Sequence, residues 1–98
     1  MDTQHLRTFI EVVRQGSFAG AARRLNLATS QATRAVAAIE SELGARLLHR
    51  TTRKVTLTQP GAAYYEQVSA LLEQLDAYAL QTRRAITIPL IKAMLESE

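Results

Sequence analysis

The chain has 98 residues, no cysteine and 47% apolar residues, which suits one small domain and at most one long appended element. That composition excludes a disulfide framework and a thiolate metal site, and no apolar run approaches the roughly 18 residues of a membrane span. The net charge of +3 hides an asymmetry: residues 1–61 hold nine Arg and Lys against four Asp and Glu, whereas residues 62–98 hold three against five. A basic first two-thirds suits a polyanion partner, and a solvated basic surface would give the same count. The segment from Met1 to His5 has neither the basic nor the apolar region of a signal peptide. With no cysteine to oxidise, a cytoplasmic setting is expected.

The first element reads as a helix over Thr3–Gln15, because Leu6, Phe9, Ile10 and Val13 recur at the spacing of one buried helical face. Gly16 ends it. Ser17 stands at an N-cap position, and a short second helix runs through Leu25, its Ala19, Gly20, Ala21 and Ala22 small enough for close approach of a neighbour. Asn26-Leu27 is a tight break. A third helix follows from Thr29 to Glu42, with Ala32, Val36, Ile39 and Leu43 on one face and Ser30, Thr33, Arg34 and Ala37 on the other. A short helix, a brief turn and a second helix make a helix-turn-helix.

At residue 47 the period changes. Leu48-His49-Arg50-Thr51 and Lys54-Val55-Thr56-Leu57 alternate and are partly β-branched, so they predict two strands joined at Thr52-Arg53, a hairpin carrying Arg50, Arg53 and Lys54. Thr58 can cap a last long helix that Pro60-Gly61 opens and that is expected to run to about residue 85. Along it Tyr64, Val68, Leu71, Leu75, Tyr78 and Thr82 step by 4, 3, 4, 3 and 4, a heptad-like seam widened by Leu72 and Ala79. So long a stripe is most simply buried against a second copy. Ile88-Pro89 is expected to interrupt the helix.

The first 85 or so residues resemble, without a gap, the DNA-binding domain and linker helix of LysR-type transcriptional regulators. The matching positions are Leu6, Phe9, Val13, Gly16-Ser17-Phe18, Ala21-Ala22, Leu25, Ile39-Glu40, Leu43-Gly44, Leu47, Arg50, Arg53, Val55, Leu57-Thr58 and Gly61. The resemblance implies a mainly α fold: a winged helix-turn-helix of three helices and a two-stranded wing over residues 1–58, a linker and dimerisation helix over 59–86, and a C-terminal tail over 87–98. It places Thr29, Ser30, Thr33 and Arg34 on a recognition helix, Arg50 and Arg53 around the wing, and Ser17 at a helix start suited to a phosphate. The chain departs from the family at Ala28, which lacks the usual capping hydroxyl that Thr29 could partly replace. Ala35, Ala37 and Ala38 also stand where polar residues are common. Family members continue into a larger ligand-sensing domain, whereas this chain stops at Glu98 as a fragment, a truncation or a chain with a foreign tail.

The implied function is sequence-specific binding of double-stranded DNA by a homodimeric transcriptional regulator, with higher oligomers possible in a longer form. The alternative is a truncated dimerisation partner that modulates a longer relative. Arg34 is the candidate for bidentate recognition of guanine, against a phosphate contact or a salt bridge to Glu11 or another carboxylate. Ser30 and Thr33 can reach bases or phosphates. Arg53 and Lys54 suit the phosphate backbone or minor groove, against a solvated hairpin tip, and Arg50 could instead pair with Glu40 or Glu42. Tyr64, Val68, Leu71, Leu72, Leu75, Tyr78, Ala79 and Thr82 are the dimer candidates. His5 and His49 have no metal-ligand spacing. No phosphate loop or nucleophile motif occurs, so neither an enzyme, a cofactor, a metal nor a small-molecule ligand is expected.

Overall fold

A computed structural model describes residues 2–51 and 54–96, with the side chains of all of these except 86–93 and 96. Four helices and one hairpin follow in the order α1 (Thr3–Gln15), α2 (Phe18–Leu25), α3 (Thr29–Leu43), β1 (Leu48–Arg50), β2 (Val55–Leu57) and α4 (Gln59–Glu96). Each helix boundary has a local cause. The Asp2 carboxylate accepts the Gln4 N–H at 2.8 Å and starts α1, and Gly16 closes it with a positive φ of 71°. The Ser17 hydroxyl accepts the Gly20 N–H at 3.0 Å to start α2, and Asn26, also left-handed, ends it. Gly44 does the same for α3.

Three helices share one core. Phe9, Ile10 and Val12 of α1, Ala21 of α2, and Val36 and Ile39 of α3 pack against Leu47 and Leu48 and against Val68 and Leu72 of α4. Full burial of side chains of this size contributes about 1.5–3 kcal/mol each, so these few residues dominate the fold's stability. Gly20, Ala21 and Ala22 of α2 are buried and let its neighbours approach closely, whereas Ala19 is exposed. Thr8 is also buried, its hydroxyl donating to the Gln4 carbonyl at 2.7 Å within the helix. The periodicity of α3 misplaces one residue. Leu43 is 42% exposed, and the buried face is completed by Ala35 and Glu40 instead.

The hairpin is antiparallel, with Leu48 opposite Leu57, His49 opposite Thr56 and Arg50 opposite Val55. Its inner end is tied to the start of α4. The Thr58 N–H donates to the Leu47 carbonyl at 3.0 Å, and the Thr58 hydroxyl donates to the Arg46 carbonyl at 2.6 Å. The same hydroxyl oxygen accepts the Gly61 N–H at 3.0 Å, which makes Thr58 the N-cap of α4. At Gly61 the helix passes so close to Leu47 that a Cβ would lie 1.9 Å from its carbonyl oxygen. Only glycine fits there.

Helix α4 has 38 residues, about 57 Å of helix. Val68 and Leu72 bury its first turns in the core, and Asp76 receives two hydrogen bonds from Arg7 of α1, at 2.8 and 3.2 Å. Some twenty residues, about 30 Å, extend past that clamp. The interruption expected at Ile88-Pro89 does not occur, because α4 continues through Pro89 to Glu96. Proline removes one N–H and costs roughly 3 kcal/mol in a helix interior. Nothing in the flanking residues, the β-branched Ile86, Thr87, Ile88 and Ile91 among them, explains the continuation.

Candidate nucleic-acid interface

The turn between α2 and α3 aims the outer face of α3 at solvent. Ala32, Ala35, Val36, Ile39 and Glu40 bury one side. Ser30, Arg34, Ala37 and Ser41, spaced by 4, 3 and 4, line the opposite side and are exposed. Thr29 is exposed at the helix start and Thr33 is half-buried beside this face. Ser41 went unremarked in the reading of the sequence, although its spacing from Ala37 was the available signal.

The start of α3 has no hydroxyl to cap it, since Ala28 is the N-cap. Compensation comes from Gln31, whose Oε1 accepts the Ala28 N–H at 2.8 Å, and not from Thr29 as anticipated. The Thr33 hydroxyl donates to the Thr29 carbonyl at 3.0 Å, which orients it along the helix. Arg34 Nε donates to the Ser30 carbonyl at 3.4 Å. Among the described residues Arg34 has no ion pair. The rival partner, Glu11, is occupied by Gln15 at 2.9 Å and by Arg24 at 3.9 Å. The guanidinium of Arg34 therefore lies on the exposed face with its charge uncompensated by a carboxylate.

Ser17 is half-buried at the head of α2. Its oxygen accepts from Gly20, while the first N–H groups of α2 have no acceptor within the helix. At the hairpin, Lys54 is exposed. The Thr51 N–H and hydroxyl both donate to the Lys54 carbonyl, at 3.1 and 3.0 Å, which closes the turn. Arg53 lies outside the described residues. Arg46 before β1 and Arg50 at its outer end share an open groove with Ala37 and Ser41, so the wing and the outer face of α3 border one surface.

Arg50 takes up the rival role considered for it. Its Nη2 donates to Glu40 Oε1 at 3.1 Å, and its guanidinium sits 4.9 Å over the Phe18 ring. Glu40, 7% exposed, also accepts the N–H groups of Leu47 at 2.8 Å and Leu48 at 3.4 Å through Oε2. Glu40 stood out in the sequence only as a possible partner of Arg50 and by its place in the family match, and nothing in the residue pattern signalled its burial or its bonds to Leu47 and Leu48.

The seam on α4 divides. Val68 and Leu72 are buried in this chain's own core, and Tyr64, half-buried, packs on Phe9 with ring centroids 5.7 Å apart, so these three seam residues also pack within the chain. The first turns of α4 thus pack against the domain itself. Burial and the nearby Glu42 carboxylate both push the Tyr64 phenol up, keeping it neutral. Leu71, Leu75, Tyr78, Ala79 and Thr82 are exposed, Leu71 at 62% and Tyr78 at 63%. Among the described residues no cluster of His, Asp or Glu could hold a metal ion, and no helix is long and apolar enough to cross a membrane.

Residues 3–62 match the family described as bacterial regulatory helix-turn-helix protein, lysR family. An HTH-type transcriptional regulator of Xanthomonas campestris is 47% identical over 68 residues, 69% of this chain and 20% of that protein. An HTH-type transcriptional repressor of Pseudomonas aeruginosa is 37% identical over 92 residues, 94% of this chain and 29% of the repressor. The chain thus spans under a third of these relatives. Among solved structures, the BenM DNA-binding domain in complex with a catB site superposes with a TM-score of 0.82 at 37% identity, covering 86% of this chain and 93% of that one. The CbnR DNA-binding domain in complex with DNA gives 0.80 at 35%, covering 87% and 98%.

Proposed function

This chain belongs to the lysR family of bacterial regulatory helix-turn-helix proteins, and on that footing we propose which residues carry its work. The winged helix-turn-helix is a sequence-specific DNA-binding domain of a transcriptional regulator. In our reading α3 enters the major groove. Arg34 bonds guanine O6 and N7, and Ser30 and Thr33 contact neighbouring bases or phosphates. Thr29 and the head of α2 at Ser17 take phosphates through hydroxyl and backbone N–H groups. Arg53 and Lys54 of the wing address the backbone or the minor groove. The observation that carries this reading is the exposed face of α3, where one arginine without a carboxylate partner stands between small residues that let a helix lie close to base edges.

The same reading makes the chain a dimer through Leu71, Leu75, Tyr78, Ala79 and Thr82. Two recognition helices, held apart by paired α4 helices, would read two half-sites on one face of the duplex. Selection of bound sequences from a random duplex pool supplies the operator and its half-site spacing together. On that operator Arg34→Ala is expected to lose about ten- to a hundredfold in affinity, with little change on random duplex. Equal loss on both would make Arg34 a phosphate contact and remove the base-reading role.

A further inference from the structure

Glu40 is the one buried carboxylate among the described residues, and direct DNA recognition gives it no task. It sits where three elements meet. One oxygen holds the Leu47 and Leu48 N–H groups at the start of β1, and the other holds Arg50 at 3.1 Å. Arg50 in turn covers the ring of Phe18, the first residue of α2. Val55 and Leu57 of β2 lean on the core and Thr58 ties the wing's inner end to α4, while on the β1 side Glu40 and Arg50 join the wing to α3. The wing's strands are three residues each, too short for a hairpin to be rigid alone, and outside Leu48 its β1 side chains are exposed. The N–H of Leu47 precedes the strand ladder and needs an acceptor, and a carboxylate on the recognition helix provides it.

We propose that Glu40 and Arg50 are positioning residues of the DNA interface: together they hold the wing at a set offset from the recognition helix, so that both engage the duplex in one register. This rests on the DNA-binding reading above and deepens it. Arg50 then acts inward, through Glu40, and not as a phosphate contact. Glutamine at position 40 keeps the shape and can still accept one N–H group. It cannot both accept from Leu47 and Leu48 and accept from Arg50, because one of its two ends is itself a donor.

The sign of the effect separates positioning from plain electrostatics. Glu40→Gln removes a negative charge near a polyanion and releases a cation, so charge alone would strengthen binding to any duplex. Positioning instead weakens operator binding by about tenfold while random-duplex binding holds or rises. The experiment measures affinity for the selected operator and for random duplex, at a temperature where circular dichroism shows every variant folded. The variants are wild type, Glu40→Gln, Arg50→Gln, Arg50→Lys and the double variant of Glu40→Gln with Arg50→Gln, each also made with Arg53 and Lys54 changed to Ala and each measured across a salt series. The proposal expects Glu40→Gln and Arg50→Gln to lose similar factors, Arg50→Lys to recover part of the loss, and the loss to shrink towards nothing once the wing charges are gone. Arg50→Gln leaves Glu40 its two backbone bonds, so it reads the latch even if Glu40→Gln does not fold. Operator affinity raised or unchanged in both Gln variants overturns the proposal. So does a loss equally large without the wing charges, or a further fall in salt slope of about 1 when Arg50→Gln is added to Glu40→Gln, which would make Arg50 a direct phosphate contact. Failure of the wild-type chain to select any sequence would instead overturn the DNA-binding reading itself.

Discussion

Replacing Gly61 by Ala tests the junction on which the wing and the linker helix both depend. The added Cβ would lie 1.9 Å from the Leu47 carbonyl oxygen, 2.8 Å from its carbonyl carbon and 3.1 Å from its Cα. The obstacle is backbone, so no side chain can rotate away, and β1 and the first turn of α4 must separate by at least about 1 Å. Such a shift disrupts two short bonds at the same place, Thr58 N–H to the Leu47 carbonyl at 3.0 Å and the Thr58 hydroxyl to the Arg46 carbonyl at 2.6 Å. Overpacking of this kind costs roughly 1–3 kcal/mol, and each strained or lost bond adds roughly 1 kcal/mol, so a total near 3–5 kcal/mol is expected. For a domain of this size that is a large part of its stability. Urea denaturation followed by circular dichroism measures it directly. Gly44→Ala is the internal control. Gly44 has a positive φ, 67°, which Gly61 lacks, but open space where a Cβ would stand, so it should cost only about 1 kcal/mol. If Gly61→Ala is no more destabilising than Gly44→Ala, the close approach is not a constraint and the reasoning fails.

The divided seam on α4 predicts two kinds of failure from neighbouring leucines. Leu71→Glu should shift the chain from dimer to monomer in sedimentation while leaving the monomer folded, and a folded dimer would remove Leu71 from the interface. Leu72→Ala, one residue on, should cost roughly 2–5 kcal/mol of stability independent of protein concentration, because the cavity it leaves is in the chain's own core. The Arg7–Asp76 clamp predicts a pH signature. Hydrogen bonds from Arg7, reinforced by its charge, hold the Asp76 carboxyl below the ordinary aspartate value of 3.8. A depressed folded value means that the clamp stabilises fully above that ordinary value and fades as pH falls through the folded one. The melting difference between wild type and Asp76→Asn should therefore be constant near neutrality and vanish in acid. A difference that persists in strong acid would show that the clamp acts otherwise.

Much of this architecture is legible one residue at a time. Gly16, Asn26 and Gly44 end helices because they accept a left-handed backbone, and Ser17 and Thr58 start them because a hydroxyl can take an orphan N–H. Apolar spacing placed Phe9, Ile10, Val36 and Ile39 in the core. Where it failed, long-range packing had intervened. Leu43 fits the α3 stripe, but nothing covers it at the helix end, whereas the charged Glu40 is buried because β1 brings it three donors. Proline at 89 predicts a break from local sterics, and α4 nonetheless continues through it.

Local chemistry, then, determined by itself that the chain is a helix-turn-helix with a wing and a long last helix, and it put Ser30, Thr33 and Arg34 on the outer side of the third helix. Periods, caps and turn residues act within a few positions, so they can be read along the chain. Only tertiary structure decided how those elements serve one another. It spent Val68 and Leu72 on the domain and left Leu71, Leu75 and Tyr78 exposed. It turned Arg50 inward to Glu40 and made Gly61 a point of contact. Those outcomes depend on which residues meet across distances of up to 69 positions, as Arg7 and Asp76 do, and no spacing rule within a single element contains that information.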